Sequence, residues 1–175
     1  MGKNFGGSEN PLLVSVRSGA RVSMPGMMDT VLNLGLNEES LNGLAKKTQN
    51  EWFALDTYRR FISMFSNVVL HIDSARFETI LEKEKKRLGI KGDTEFSVKD
   101  LKSIIKKFKA LVIRDTNKKF PDDPMKQLQM AVEGVFNSWN TERAIIYRRM
   151  NGYSHEWGTA VTVQSMVFGN MGKTS

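Results

Sequence analysis

The sequence predicts an α+β domain, with short sheet elements near both ends and a helical block between them. Three observations lead there. Pro11–Arg17 (PLLVSVR) and Thr159–Phe168 (TAVTVQSMVF) have the apolar, β-branched composition of strands. From about residue 56 onward, apolar residues recur at the three-and-four spacing of amphipathic helices. Between the first strand and that block lies Ser18–Gly35, punctuated by Gly19, Pro25 and Gly26 and too rich in small residues to be one continuous element.

Within the block, Asp56 is the expected cap of a helix carrying Phe61, Ile62, Phe65, Val68 and Val69 on one face. Ser74 is the expected cap of a second, with Phe77, Ile80, Leu81 and Leu88 inward and Gly89 closing it. The third opens with Ser97 and Asp100, a capping-box pair with Asp in place of Glu. Its stripe is Val98, Leu101, Ile104, Ile105, Phe108, Leu111 and Val112, with lysines on the other face. Asp123-Pro124 starts a fourth, for which Met125, Leu128, Val132, Val135, Phe136 and Trp139 form the expected buried stripe. After Asn140 the chain is expected to turn extended. This order divides the chain into residues 1–36 plus 124–175, sharing a sheet, and an inserted helical subdomain, 37–123. The strand-like end running into GNMGKTS reads as part of a longer protein.

The 175 residues fit one domain, 40% hydrophobic and 26% charged, able to bury a core. With no cysteine there are no disulfides, Cys-based zinc sites, iron–sulfur clusters or thiol catalysis. His71 and His155 are the only histidines, too few for a His-rich metal site, and both read as structural or exposed. No apolar run is long enough for a membrane span, and Met1–Asn10 lacks the apolar core of a signal peptide, so a soluble, cytoplasmic chain is expected. The net charge of +7 sits in Glu82–Lys119, with 13 basic and 6 acidic residues. No aromatic residue is interleaved on its polar side for base stacking, so a solvated helix face is expected there rather than a nucleic-acid footprint.

The segment that carries chemistry is VSVRSGARVSMPGMMDTVLNLG. A strand delivers Arg17 and Arg21 to a loop with Gly19 and Gly26, and with the hydroxyls of Ser18, Ser23 and Thr30 nearby. Glycine lets backbone N–H groups approach an anion closely, and guanidinium donors match phosphate oxygens in pairs. The loop is neither a Walker P-loop nor a Rossmann fingerprint, and a plain glycine-rich turn with surface arginines fits the pattern equally well.

PLLVSVRSGARVSMPGMMDTVLNLGL also resembles the glycine-rich ATP loop of the pyruvate, phosphate dikinase family. The likeness continues through DTYRRFISMF, FPDDPMKQL, VFNSWNTERAIIYRRMN and WGTAVTVQSMVFGN, in order and over nearly the whole chain. It implies part of an ATP-grasp nucleotide domain whose longer parent carries a swivelling phosphohistidine domain and a pyruvate-binding barrel. The implied reaction converts ATP, phosphate and pyruvate to AMP, pyrophosphate and phosphoenolpyruvate, with Mg2+ and ATP as cofactor and substrate. On the resemblance, Arg17 contacts the ATP phosphates, and Gly19 to Asp29, with Ser23, Gly26 and Met28, close over them beside Thr30. Arg60 of the YRR motif is a second phosphate-side arginine. Gln164, Met166 and Val167, within Gln164–Phe168, lie beside the adenine. Tyr58 and Trp139 are assigned to packing.

The resemblance also implies what this stretch lacks. Nothing matches the family's Gly-Gly-x-Thr-Ser-His acceptor, and the matching metal carboxylates, adenine-side glutamine and an early lysine fall outside it. It therefore places no catalytic residue and no metal ligand here, and the chain alone is expected not to turn over. A homodimeric parent in the cytoplasm is implied, with plastid or glycosome open for a eukaryote. Phosphoenolpyruvate synthase shares the architecture, but SMPGMMDTVLNLG and the helical block favour the dikinase family. From another class, a basic helical domain would bind polynucleotide through Lys99–Lys119, with steep salt dependence.

Overall fold

The computed structural model describes residues 2–167 and is a mixture of helix and sheet. Strands β1 (Asn4–Phe5) and β2 (Pro11–Leu12) pair in parallel. Next come β3 (Val14–Ser18) and β4 (Thr30–Leu34), and last β5 (Val161–Ser165). These three form an antiparallel sheet in the order β4-β3-β5, so the strand leading into the glycine loop is central. Ser18–Gly35 is not one continuous element, as expected, but its end forms a strand, β4, that the sequence reading does not assign. Asn33 explains the miss: its left-handed backbone (φ 62°) breaks the alternation, so Val31 and Leu34 are buried three residues apart rather than two.

Helix starts at Glu38, ahead of the residue-56 periodicity from which the sequence reads it. Helix α1 (Glu38–Thr48) is capped by Asn37 and Ser40, and α2 (Glu51–Leu70) is capped by Asn50, whose side chain accepts from the Phe53 N–H. Asp56 is therefore no cap. It lies inside α2, buried, where Arg59 and Arg60 both donate to its carboxylate. Helix α3 (Ser74–Leu88) is capped by Asp73 rather than Ser74 and ends at Gly89, as expected. Helix α4 (Val98–Thr116) has the Ser97–Asp100 capping box and buries Leu101, Ile104, Ile105, Phe108, Leu111 and Val112, as the periodicity predicts.

Helix α5 (Pro124–Asn137) starts at the expected Asp123-Pro124, but its buried stripe is rotated: Gln127, Ala131, Gly134 and Val135 face inward. Met125 is 63% exposed and Phe136 45%. The fully buried Gln127 directs this, because its amide bonds backbone groups of the β4–α1 link and of Pro121. A further helix, α6 (Glu142–Met150), occupies the region expected to be extended. Only Ala144 and Arg148 of α6 are buried, so the inward face carries no apolar periodicity to read.

One apolar core runs from Val14, Val16, Val31 and Leu34 of the sheet through Phe61, Ile62 and Phe65 of α2 to Phe108 and Val112 of α4. Tyr58 joins it, as assigned. Phe61, Phe65 and Phe120 meet edge to face with ring centroids 5.4–5.7 Å apart, each pair worth about 0.5–1.5 kcal/mol beyond burial. In the basic stretch, Lys85, Arg87, Lys102, Lys107 and Lys109 pair with carboxylates, and Lys83, Lys86, Lys99 and Lys106 have no ion pair among the described residues. Donation from Lys107 holds the Glu84 carboxyl below its usual range. Among the described residues no helix is long and apolar enough to cross a membrane.

Gly43, buried inside α1, lies against the Ser8 carbonyl, where an added Cβ would collide with backbone. Gly43→Ala would gain up to about 1 kcal/mol of helix propensity. Overpacking of about 1–3 kcal/mol should outweigh that gain. Thermal unfolding is expected to show net destabilisation. A raised Tm would mean the β1–β2 segment is not held against α1.

Candidate functional site

The glycine loop closes on itself as a cavity of about 380 Å³ lined by Arg17, Gly19, Ser23, Gly26, Met28 and Thr30, with Ser18, Ala20 and Val22 beside them. Seven of the residues singled out in the sequence, Ser18 included, therefore converge. Arg17 is exposed at the end of β3 and flanked across the sheet by Thr30 on β4 and Thr162 on β5. It has no ion pair among the described residues, and no carboxylate lines the cavity. An unneutralised guanidinium among hydroxyls and backbone amides is an electrostatic trap for an anion.

The two glycines serve differently. The Gly19 N–H donates to the Ala160 carbonyl at 2.7 Å, so it is spent on joining the loop to the segment before β5. Gly26 takes a left-handed conformation (φ 73°) with nothing within 4 Å of where a Cβ would sit. The amides of Ser23 and Gly26 have no partner among the described residues and are free to donate.

The loop stands on a second, smaller apolar cluster of Met24, Trp139 and Ala144, with Ala20, Val22, Met27, Met28, Tyr147 and Tyr153 around it. Asp29 is turned away from the cavity. Its carboxylate pairs with Arg143, which also donates to the Met27 carbonyl at 3.1 Å, and its N–H donates to Ser138 Oγ at 3.1 Å. At the other side Arg21 lies 5.0 Å over the Trp157 ring. These supports come from residues more than a hundred positions downstream, so nothing local to the loop announces them. Trp139 was assigned to packing and does pack, but as the loop's floor.

The remaining candidates are elsewhere. Arg60 does not line the loop cavity; its Nε donates to Asp56 at 2.7 Å and its side chain is otherwise 62% exposed. Gln164 pairs with Ser15 across β3–β5, and the Met166 N–H donates to the Leu13 carbonyl at 2.8 Å. Met166 and Val167 line a separate cavity of about 120 Å³ with Pro11, Leu13, Leu44, Lys3 and Lys47. Phe168 lies outside the described residues. The two cavities thus flank opposite ends of β3, about 13 Å apart at the usual rise per strand residue.

His71 is the exposed, left-handed C-cap of α2, and His155 accepts a hydrogen bond from Arg148. No three His, Asp or Glu come together as a metal site among the described residues.

Comparison with known proteins gives a consistent result. A profile of the family described as pyruvate phosphate dikinase, AMP/ATP-binding domain, matches residues 1–174. Pyruvate, phosphate dikinase of Clostridium symbiosum is 55% identical over 175 residues, covering 99% of this chain and 20% of that protein. The Giardia intestinalis enzyme is 53% identical, covering 100% of the chain and 20% of that protein. The chloroplastic enzyme of Mesembryanthemum crystallinum is also 53% identical, over 100% and 18%. The chain spans about a fifth of the length of these relatives.

Proposed function

The chain belongs to the family of pyruvate phosphate dikinase AMP/ATP-binding domains, and we propose that its loop cavity receives the phosphates of ATP while the Met166–Val167 cavity receives the adenine. The observation that carries this reading is the carboxylate-free cavity at the end of β3, with Arg17 unpaired at its wall. Arg17 supplies paired donors to phosphate oxygens. The Ser23 and Thr30 hydroxyls and the free amides of Ser23 and Gly26 complete a donor set that needs no rearrangement when charge develops. At the far end of β3, backbone groups beside Gln164 read the base edge and Met166 packs on the ring. Arg60, tethered to Asp56, keeps its outer guanidinium nitrogens free for a phosphate brought to it.

In the parent enzyme this domain would hold ATP for transfer to a histidine on a swivelling domain. A pyruvate-binding barrel would then complete the conversion of ATP, phosphate and pyruvate to AMP, pyrophosphate and phosphoenolpyruvate. The parent would be a homodimer, cytoplasmic or, in a plant, in the plastid. Residues 1–36 with 124–175 would belong to the ATP-grasp portion and 37–123 to its helical insertion. Neither histidine here is placed as a phosphoryl acceptor, so the chain by itself would bind without turnover. Magnesium finds no ligand set among the described residues, and the chain's own contribution is to the nucleotide.

Titration of Mg-ATP into the isotope-labelled chain tests this. Amide shifts are expected at Arg17–Asp29 and Gln164–Val167, with the binding midpoint at least about tenfold weaker in Arg17→Ala, a loss of about 1.4 kcal/mol or more. Unchanged binding in that variant, or shifts confined to Lys99–Lys119, would sink the reading.

A further inference from the structure

Arg148 is 1% exposed and has no carboxylate partner among the described residues. Burying a guanidinium this way is costly, and desolvation pushes its pKa below the usual arginine range. Its partners are neutral. One terminal nitrogen donates to the Trp139 carbonyl at 2.6 Å, and Nε donates to His155 Nδ1 at 3.0 Å. The guanidinium carbon lies 3.9 Å from the centroid of the Trp139 ring. The Trp139 indole N–H in turn donates to the His155 backbone carbonyl at 3.0 Å, closing a triangle of three residues from three separate turns and helices. Accepting through Nδ1 leaves the neutral His155 ring with its proton on Nε2.

Two corners of that triangle hold the glycine loop. Trp139 packs beneath Met24, a residue of the cavity wall. His155 opens the short turn His155–Trp157, and Trp157 carries Arg21 over its ring. We propose that Arg148 is a positioning residue for the phosphate-side loop: it touches neither cavity nor ligand, and sets the floor through Trp139 and the rim through His155 and Trp157. The inference rests on the nucleotide reading for its ligand but not for its geometry. Only arginine combines a flat face for the indole with two divergent in-plane donors. Lysine keeps the charge alone, and methionine only the volume.

The test uses the whole chain with Arg148→Met and Arg148→Lys, mapped by backbone amide shifts without ligand and then titrated with Mg-ATP. Arg148→Met is expected to displace the amides of Arg21–Met28 and His155–Gly158 while leaving those of α3 and α4 in place. Its Mg-ATP midpoint should weaken at least about tenfold, the loss of one or two bonds to a charged group. Arg148→Lys should recover part of both effects. A merely structural arginine would lower Tm in both variants with loop amides and midpoint unmoved, and that result overturns the proposal. If Arg148→Met does not fold, Arg148→Lys and His155→Ala decide it: displaced loop amides in both support the proposal, undisplaced ones reject it. If the unmodified chain shows no Mg-ATP response, the nucleotide reading fails, and the ligand-free amide map still decides whether Arg148 positions the loop.

Discussion

Asp56→Ala is expected to destabilise the fold by about 3–5 kcal/mol, the cost of removing one partner from a buried ion pair. The Asp56 carboxylate takes Arg59 Nε at 2.9 Å and the Arg59 terminal nitrogen at 2.6 Å on one oxygen, and Arg60 Nε at 2.7 Å on the other. Arg59, 4% exposed, would be left with Asp93 alone, at 3.1 Å. Arg60 would lose its tether but reach water, since its side chain is 62% exposed. Arg60→Ala should therefore cost no more than about 1 kcal/mol. For a chain of this size the Asp56 loss corresponds to a Tm lowered by roughly 6–20 °C. Equal, small effects of the two substitutions would show that burial of Arg59 does not set the energetics of this cluster.

Gln127→Ala should cost about 3–4 kcal/mol, for a different reason. The fully buried Gln127 side chain accepts from the Gly35 N–H at 3.1 Å and donates to the Leu36 and Pro121 carbonyls at 2.9 and 2.8 Å. Alanine orphans three backbone groups at once. At about 1–3 kcal/mol for each fully unsatisfied group the sum exceeds the expected loss, because water and relaxation recover part of it. Gln127→Met keeps most of the volume, so the difference between the two variants isolates the cavity from the hydrogen bonds. Hydrogen exchange at the Gly35 amide is the direct readout. Protection unchanged in Gln127→Met would mean the bond contributes nothing to holding α5 against the β4–α1 link.

Helices whose termini and stripe are written in neighbouring residues were legible. The Ser97–Asp100 box, Gly89 and Asp123-Pro124 all sit where their chemistry puts them. What escaped was structure whose inward face is not apolar. Helix α1 turns Ser40 and Gly43 inward beside Leu44, α6 turns in Ala144 and Arg148, and α5 is rotated by a glutamine. Asp56 shows the same ambiguity in one residue, since the carboxylate that would cap a helix is equally suited to clasp two arginines inside one. At the site, the lining was legible because Arg17, Gly19, Ser23, Gly26, Met28 and Thr30 all fall within the single short stretch Arg17–Thr30. Its supports at Ser138, Trp139, Arg143 and Arg148 reach it only through the fold.

One cavity is walled by Arg17 on β3 and the other by Leu13, the residue just before that strand, which makes β3 a ruler between them. Arg17 stands near its last residue and Leu13 immediately before its first, with β4 and β5 paired along it by backbone hydrogen bonds. The spacing between the two cavities is thus graduated in whole residues, about 3.3 Å each, and cannot be adjusted continuously by side-chain motion. A single inserted residue would lengthen the gauge by one graduation and turn every later side chain to the opposite face. Length and facing are fixed by the same pleat, so any ligand that spanned the strand would be measured by backbone geometry before any side chain inspected it.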